Sequence, residues 1–191
     1  RRTIATMKEH VAMYAGSFDP ITSGHLDVVA RSRHLFDRII IGIGFNPEKD
    51  SLFPVDERVS MATTLIEELI ENDPDAASIS VERYSGLTVD FAREAGATAL
   101  IRGIRNITDL ATETQLAITN RQVADIETVF IITGEKYAFT SSSLIRQIAA
   151  LGGDLDRLEG IIPTLVIERL KILQSDPSGL LKAMANDANM E

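Results

Sequence analysis

Ten residues, Gly16-Ser17-Phe18-Asp19-Pro20-Ile21-Thr22-Ser23-Gly24-His25, follow the apolar run Val11-Ala12-Met13-Tyr14-Ala15. They carry two glycines, three hydroxyls, a carboxylate and an imidazole. A plain strand-to-helix turn needs only two to six residues and one cap. Two later stretches hold side chains of matching chemistry. Arg102-Gly103-Ile104-Arg105 follows the apolar run at 98–101, and Tyr137-Ala138-Phe139-Thr140-Ser141-Ser142-Ser143 follows the one at 128–132. Guanidinium forks and backbone N–H groups match phosphate oxygens, and a hydroxyl-rich helix start offers an anion further donors. Together they suit a polyphosphate. Singly, each has a plainer reading. Ser and Thr before a helix are ordinary caps, Arg102 and Arg105 are candidate ion-pair formers, His25 could be structural, and Lys49 is by default a solvated loop lysine. His10 and His34 read as surface or packing residues.

The elements that must position these groups alternate in period. Strands are expected at 11–15, 38–45, 79–81, 98–101 and 128–132, and helices at 24–36, from 54 to about 71, 88–96, 109–124, 141–151 and 163–173. In the first helix Leu26, Val29 and Ala30 should face inward, with Asp27, Arg31 and Arg33 outward. The run Arg38-Ile39-Ile40-Ile41-Gly42-Ile43-Gly44-Phe45 is apolar on both faces, as a central parallel strand should be. The fold class is therefore α/β, a Rossmann-like doubly wound five-stranded parallel sheet with helices on both faces. Such sheets bind ligands beyond the carboxyl ends of their strands, where the strand order reverses. In the order 3-2-1-4-5 the loops after strands one and four face each other there. Independent accidents would not all fall on one edge of one sheet.

Composition narrows the chemistry. The 191 residues suit one domain. The chain has no Cys and three His, which excludes disulfides, thiolate catalysis and Cys-zinc sites and leaves little for a His-type metal cluster. A net charge of −9 argues against a general nucleic-acid binder, and the sequence has no apolar run long enough for a membrane helix. Residues 1–7 lack the apolar core of a secretory leader, so a cytoplasmic location is expected. GxxxxGK[ST], GxGxxG after the first strand and GxSxG are all missing, which argues against a P-loop NTPase, a dinucleotide oxidoreductase and an α/β-hydrolase.

Thr22-Ser23-Gly24-His25 after a strand resembles the TxGH signature of the nucleotidylyltransferases. The larger set resembles the bacterial phosphopantetheine adenylyltransferases: the stretch at 16–25, Pro47 and Lys49, Leu100 to Arg105, Glu113 with Gln115, Asn120-Arg121, and Tyr137 to Ser143. The resemblance spans residues 11–173, implying one nucleotidylyltransferase domain; flexible tails are expected at 1–10 and 174–191, where the chain after Gln174 turns polar, with one helical turn at 180–185. It implies transfer of AMP from ATP to 4′-phosphopantetheine, forming dephospho-coenzyme A and pyrophosphate in coenzyme A biosynthesis. By the same resemblance His25 is the transition-state stabiliser. Ser17, Phe18, His25, Gly103, Ile104, Arg105, Glu113, Tyr137, Ala138, Phe139, Thr140, Ser141, Ser142 and Ser143 match the ATP site. Ser17, Lys49, Thr88 and Arg102 match the phosphopantetheine site. Mg2+ as cofactor and a homohexamer are further implications. This chain departs from the pattern at Leu110-Ala111-Thr112, where aromatics and a further acid are usual, and at Thr140. The nearest rival is a related enzyme acting on nicotinate mononucleotide or a small phosphate acceptor, against which Lys49, Thr88, Arg102 and the Thr140–Ser143 run weigh. A non-catalytic nucleotide binder is the other, against which His25 weighs.

Overall fold

In the computed structural model, residues 9–48, 50–176 and 181 are described. Five strands form one wholly parallel sheet: β1 Val11–Gly16, β2 Arg38–Gly44, β3 Ser78–Tyr84, β4 Ala99–Ile104 and β5 Glu127–Ile132, in the order β3-β2-β1-β4-β5. The helices are α1 Ser23–Ser32, α2 Val55–Asn72, α3 Thr88–Glu94, α4 Ile107–Ala124, α5 Ser142–Ala150 and α6 Thr164–Ser175, with short 3-10 turns at Glu135–Tyr137 and Leu155–Leu158. Met13 pairs with Ile40 on one side and Leu100 on the other, so β1 is central. The strand order reverses between β1 and β4, and there the expected crevice opens.

Residues alternate across the sheet and feed two cores. Ala12, Tyr14, Ile39, Ile41, Ile43 and Ile101 pack toward α1, α2, α5 and α6. Val11, Met13, Ala15, Ile40 and Leu100 pack toward α3 with Tyr84, Val89 and Ala92. Burial on both faces explains why β2 reads as an unbroken apolar run.

Several boundaries differ from the sequence reading. β4 continues to Ile104, so Arg102 and Gly103 are strand residues rather than loop residues. β3 runs over seven residues, because the alternation of Ser78-Ile79-Ser80-Val81-Glu82 continues to Tyr84 against β2. α1 stops at Ser32, well short of Phe36. Arg33 is buried, not outward: its guanidinium donates to the Ala77, Leu69 and Ala76 carbonyls, tying the end of α1 to α2 and the approach to β3. The boundary expected at residue 173 is also early. α6 continues to Ser175, Gln174 donates to the Ala149 and Gly153 carbonyls, and Leu181 is buried in the core. The rest of the helical turn expected near 180–185 lies outside the described residues. No described helix is long and apolar enough to cross a membrane.

Candidate active site

The loop after β1 is built by its own polar residues. Asp19 is buried, and its carboxylate accepts from the Leu52 and Phe53 amides at 2.8 and 2.9 Å, pinning this loop to the one after β2. Phe18 sits in the left-handed region at φ 46°, an uncommon place for a bulky residue. Its buried ring meets Tyr14 edge-on at 5.3 Å and His25 at 5.0 Å. Gly24 is required by a close approach: a Cβ there would lie 3.2 Å from the Cβ of Tyr137.

Thr22 and His25 form a capping box at the start of α1, with an imidazole where a Glu or Gln is usual. The Thr22 hydroxyl accepts from the His25 amide at 3.4 Å, and the Thr22 amide donates to His25 Nδ1 at 3.0 Å. Because an amide can only donate, Nδ1 is the acceptor nitrogen. The neutral ring then carries its proton on Nε2. Burial first, then Arg105 and Arg102, lower the His25 pKa to about 4. At neutral pH the ring is uncharged and can still donate one hydrogen bond.

Both arginines of the β4 end are held by acids on α4. Arg102 donates from Nε and Nη2 to the two oxygens of Glu113, each at 2.6 Å, and from Nη1 to the Ala15 carbonyl at 2.9 Å. Arg105 grips Asp109 from Nε at 2.8 Å and Nη2 at 3.1 Å, and its Nη1 reaches the Thr140 carbonyl at 2.8 Å. These bonds hold the Asp109 carboxyl below its ordinary pKa. Asn106 caps α4 by accepting from the Asp109 amide. Arg105 thus ties the start of α4 to the Thr140 segment.

The hydroxyl run divides its work. Ser141 caps α5, accepting from the Leu144 amide at 3.1 Å. Ser142 donates to the Pro20 carbonyl at 2.8 Å, linking α5 to the first loop. Ser143 accepts from Arg146 at 3.1 Å, while Arg146 Nη1 donates to the Asp19 carbonyl. The sequence reading missed Arg146; its signal was its place one turn into the helix that the serines start. Among the described cations lining the cavity, it alone has no acidic partner.

These pieces enclose one cavity of about 420 Å3, lined by Ser17, Phe18, Thr22, His25, Arg102, Gly103, Arg105, Glu113, Tyr137, Thr140, Ser141, Ser142, Ser143 and Arg146, with Tyr14, Asp109 and Thr133 among others. Ile104, Ala138, Phe139 and Thr88 do not line it. Ile104 is buried beneath, and Phe139 is 92% exposed. Thr88 starts α3, where its hydroxyl pairs with the Tyr84 hydroxyl at 2.9 Å. Lys49 lies outside the described residues. His10 and His34 are exposed, beside Asp37 and Asp73.

A family model described as cytidylyltransferase-like matches residues 13–148. A phosphopantetheine adenylyltransferase of Desulfosudis oleivorans is 42% identical over 162 residues, covering 84% of this chain and 90% of that protein. One from Rhodopirellula baltica is 42% identical over 173 residues, covering 90% and 93%. A solved structure described as a candidate nicotinate-nucleotide adenylyltransferase from Vibrio parahaemolyticus matches at TM-score 0.54 and 15% identity, over 92% of this chain and 96% of that one. At that identity the likeness speaks to the fold alone. The relatives and the family model agree, and this chain belongs to the cytidylyltransferase-like family and, within it, to the phosphopantetheine adenylyltransferases.

Proposed function

We propose that this protein transfers AMP from ATP to 4′-phosphopantetheine, forming dephospho-coenzyme A and releasing pyrophosphate. The observation that carries the reading is the cavity between the ends of β1 and β4. It holds a neutral imidazole donor, three arginines and a helix start bearing three hydroxyls, on a chain of net charge −9. Local charge and oriented donors outweigh the global charge at such a site.

In the reaction, an oxygen of the acceptor phosphate attacks the α-phosphorus. The bond from that phosphorus to the bridging oxygen breaks, and the electron pair leaves on pyrophosphate. A phosphate monoester has a second pKa of about 6, so the acceptor is largely dianionic at neutral pH and needs no general base. The protein's task is to position two anions and to stabilise charge on the transferring phosphate. His25 supplies an Nε2–H donor there, with Ser17 and the first-loop amides beside it. Arg105, Arg146 and the Tyr137–Ser143 segment hold the nucleotide. Arg102 and Lys49, with Thr88 at the α3 edge, receive the acceptor.

Mg2+ would enter with the triphosphate as its counter-ion and would need few protein ligands. No cluster of metal-ligating side chains occurs among the described residues, and the cavity's Asp109 and Glu113 are both taken by arginines. The ion would neutralise charge on the departing pyrophosphate. Cytoplasmic action is part of the same reading, as is self-association into a homohexamer. Only Ala124 of α4 is buried, while Leu116 and Val123, two turns apart on one face, are 47 and 66% exposed, an apolar surface that a second copy of the chain would cover. Val123→Asp should therefore shift the protein toward monomer in sedimentation velocity; an unchanged profile would remove this face of α4 from the interface.

The functional test is pyrophosphate release from ATP with a panel of phosphorylated acceptors, including 4′-phosphopantetheine and nicotinate mononucleotide. Release should be fastest with phosphopantetheine; preference for the mononucleotide, or nucleotide binding without release, would reject the reading. The serine run gives a finer prediction. Ser141→Ala should lower stability by about 0.5–2 kcal/mol as a lost cap, with little change in KM for ATP. Ser143→Ala should do the reverse, because Ser143 orients Arg146 rather than capping the helix. Thermal melting and ATP titration of the two variants separate these effects.

A further inference from the structure

Tyr14 is 6% exposed on the central strand, yet it lines the cavity, and its hydroxyl has no hydrogen-bond partner among the described residues. The ring is held edge-on to Phe18 at 5.3 Å and tilted to His25 at 6.2 Å. Gly103 lets the backbone come close to it: a Cβ there would lie 3.5 Å from the Tyr14 hydroxyl oxygen and 3.6 Å from Thr133 Oγ1, and 2.9 Å from Val28 Cγ2. Thr133 is also buried, lines the same cavity, and its hydroxyl likewise has no partner among the described residues. Neither oxygen is sealed off from the cavity, and two hydroxyls without protein partners facing the same cavity point to a ligand that pairs with them.

We propose that the Tyr14 hydroxyl is a catalytic hydrogen-bond donor to a non-bridging oxygen of the phosphate being transferred. This rests on the AMP-transfer reading above. The neighbours select a phosphate rather than a sugar oxygen, because Arg102 and Arg105 line the same cavity and the His25 ring lies beside the phenol. Burial outweighs those cations and keeps the phenol pKa above its ordinary value. Tyr14 therefore stays protonated and donates without giving up its proton. As charge grows on the transferring phosphate, this bond strengthens more than any made to the ground state.

Tyr14→Phe removes only the hydroxyl and keeps the ring against Phe18. Turnover with ATP and 4′-phosphopantetheine should fall about 10-fold, with KM for ATP changed less than about twofold. The ligand-free melting temperature should stay level, since no hydrogen bond within the protein is lost. AMP should bind more weakly to the variant, and adenosine equally well to both proteins. Unchanged turnover would overturn the proposal, as would equal losses for AMP and adenosine or a lower melting temperature with kcat and KM impaired together. If the wild type itself releases no pyrophosphate with phosphopantetheine, the parent reading fails and this proposal with it; a wild type that turns over beside an indifferent variant sinks the Tyr14 assignment alone.

Discussion

His25→Ala should lower kcat by about 10²–10³-fold, the usual scale for one lost donor to developing charge, while KM for ATP moves far less. The physical ground is the tautomer. The Thr22 amide fixes Nδ1 as acceptor, so the proton sits on Nε2 of a ring that lines the cavity. Because the same residue completes the α1 capping box, the Ala variant also loses a cap. His25→Gln controls for this, since a Gln at that position can accept from the Thr22 amide as capping boxes ordinarily do. Gln should recover stability but not turnover. A normal kcat with only a raised KM would make His25 a binding residue.

The lowered pKa of His25 makes a prediction of its own sign. The folded value is about 4 against 6.5 for the free side chain. Between those values the unfolded chain binds a proton that the folded one refuses, so stability rises with pH across that window. This contribution is present above about 6.5 and lost as pH falls through about 4, on the order of 3 kcal/mol in all. His25→Gln should flatten that part of the difference in stability between variant and wild type. For catalysis, the acid limb of kcat/KM should lie near 6 and belong to the acceptor phosphate. It should stay in place in His25→Gln, and a limb that moves with the substitution would assign the titration to the enzyme.

The sheet was legible because its signals are local and repeated: five apolar runs separated by periodic segments leave few topologies open. Much of the candidate site was legible too, since the sheet rule says where ligands sit and the hydroxyl and arginine stretches lie at or just beyond the ends of strands one, four and five. What escaped was pairing across distance. Nothing in the spacing of Arg102 and Glu113 says that a strand end and a helix turn will bring them to 2.6 Å. Arg33 looked outward by helical period, but at the end of α1 the chain turns, and three carbonyls are satisfied by its buried guanidinium. Nothing in the first loop's spacing marks Asp19 as the anchor that holds the Leu52 and Phe53 amides of the next loop. Tyr14 read as core, and only the geometry shows a hydroxyl without a partner facing the cavity.

The Arg102–Glu113 pair is where the proposed acceptor site is tested. The resemblance implies Arg102 for phosphopantetheine and Glu113 for ATP, yet both oxygens of Glu113 are engaged by Arg102. Nothing in the described cavity leaves that carboxylate free to serve the nucleotide by itself. A phosphate loses about 1.5–3 kcal/mol when one charged hydrogen bond is removed, or roughly 10–150-fold in affinity. Arg102→Ala should cost at least this for 4′-phosphopantetheine, because it also leaves Glu113, whose side chain is 14% exposed, unneutralised beside the phosphate. Arg102→Lys should restore the charge without the fork and recover only part of the loss. Glu113→Gln should raise KM for phosphopantetheine several-fold by loosening the guanidinium, and leave KM for ATP nearly unchanged. The comparison that isolates the phosphate is titration of phosphopantetheine against unphosphorylated pantetheine. Wild type should strongly prefer the phosphorylated form, and Arg102→Ala and Lys49→Ala should each lose much of that preference. If Glu113→Gln instead weakens ATP while the Arg102 and Lys49 variants discriminate normally, these cations serve the triphosphate and the acceptor lies elsewhere in the crevice.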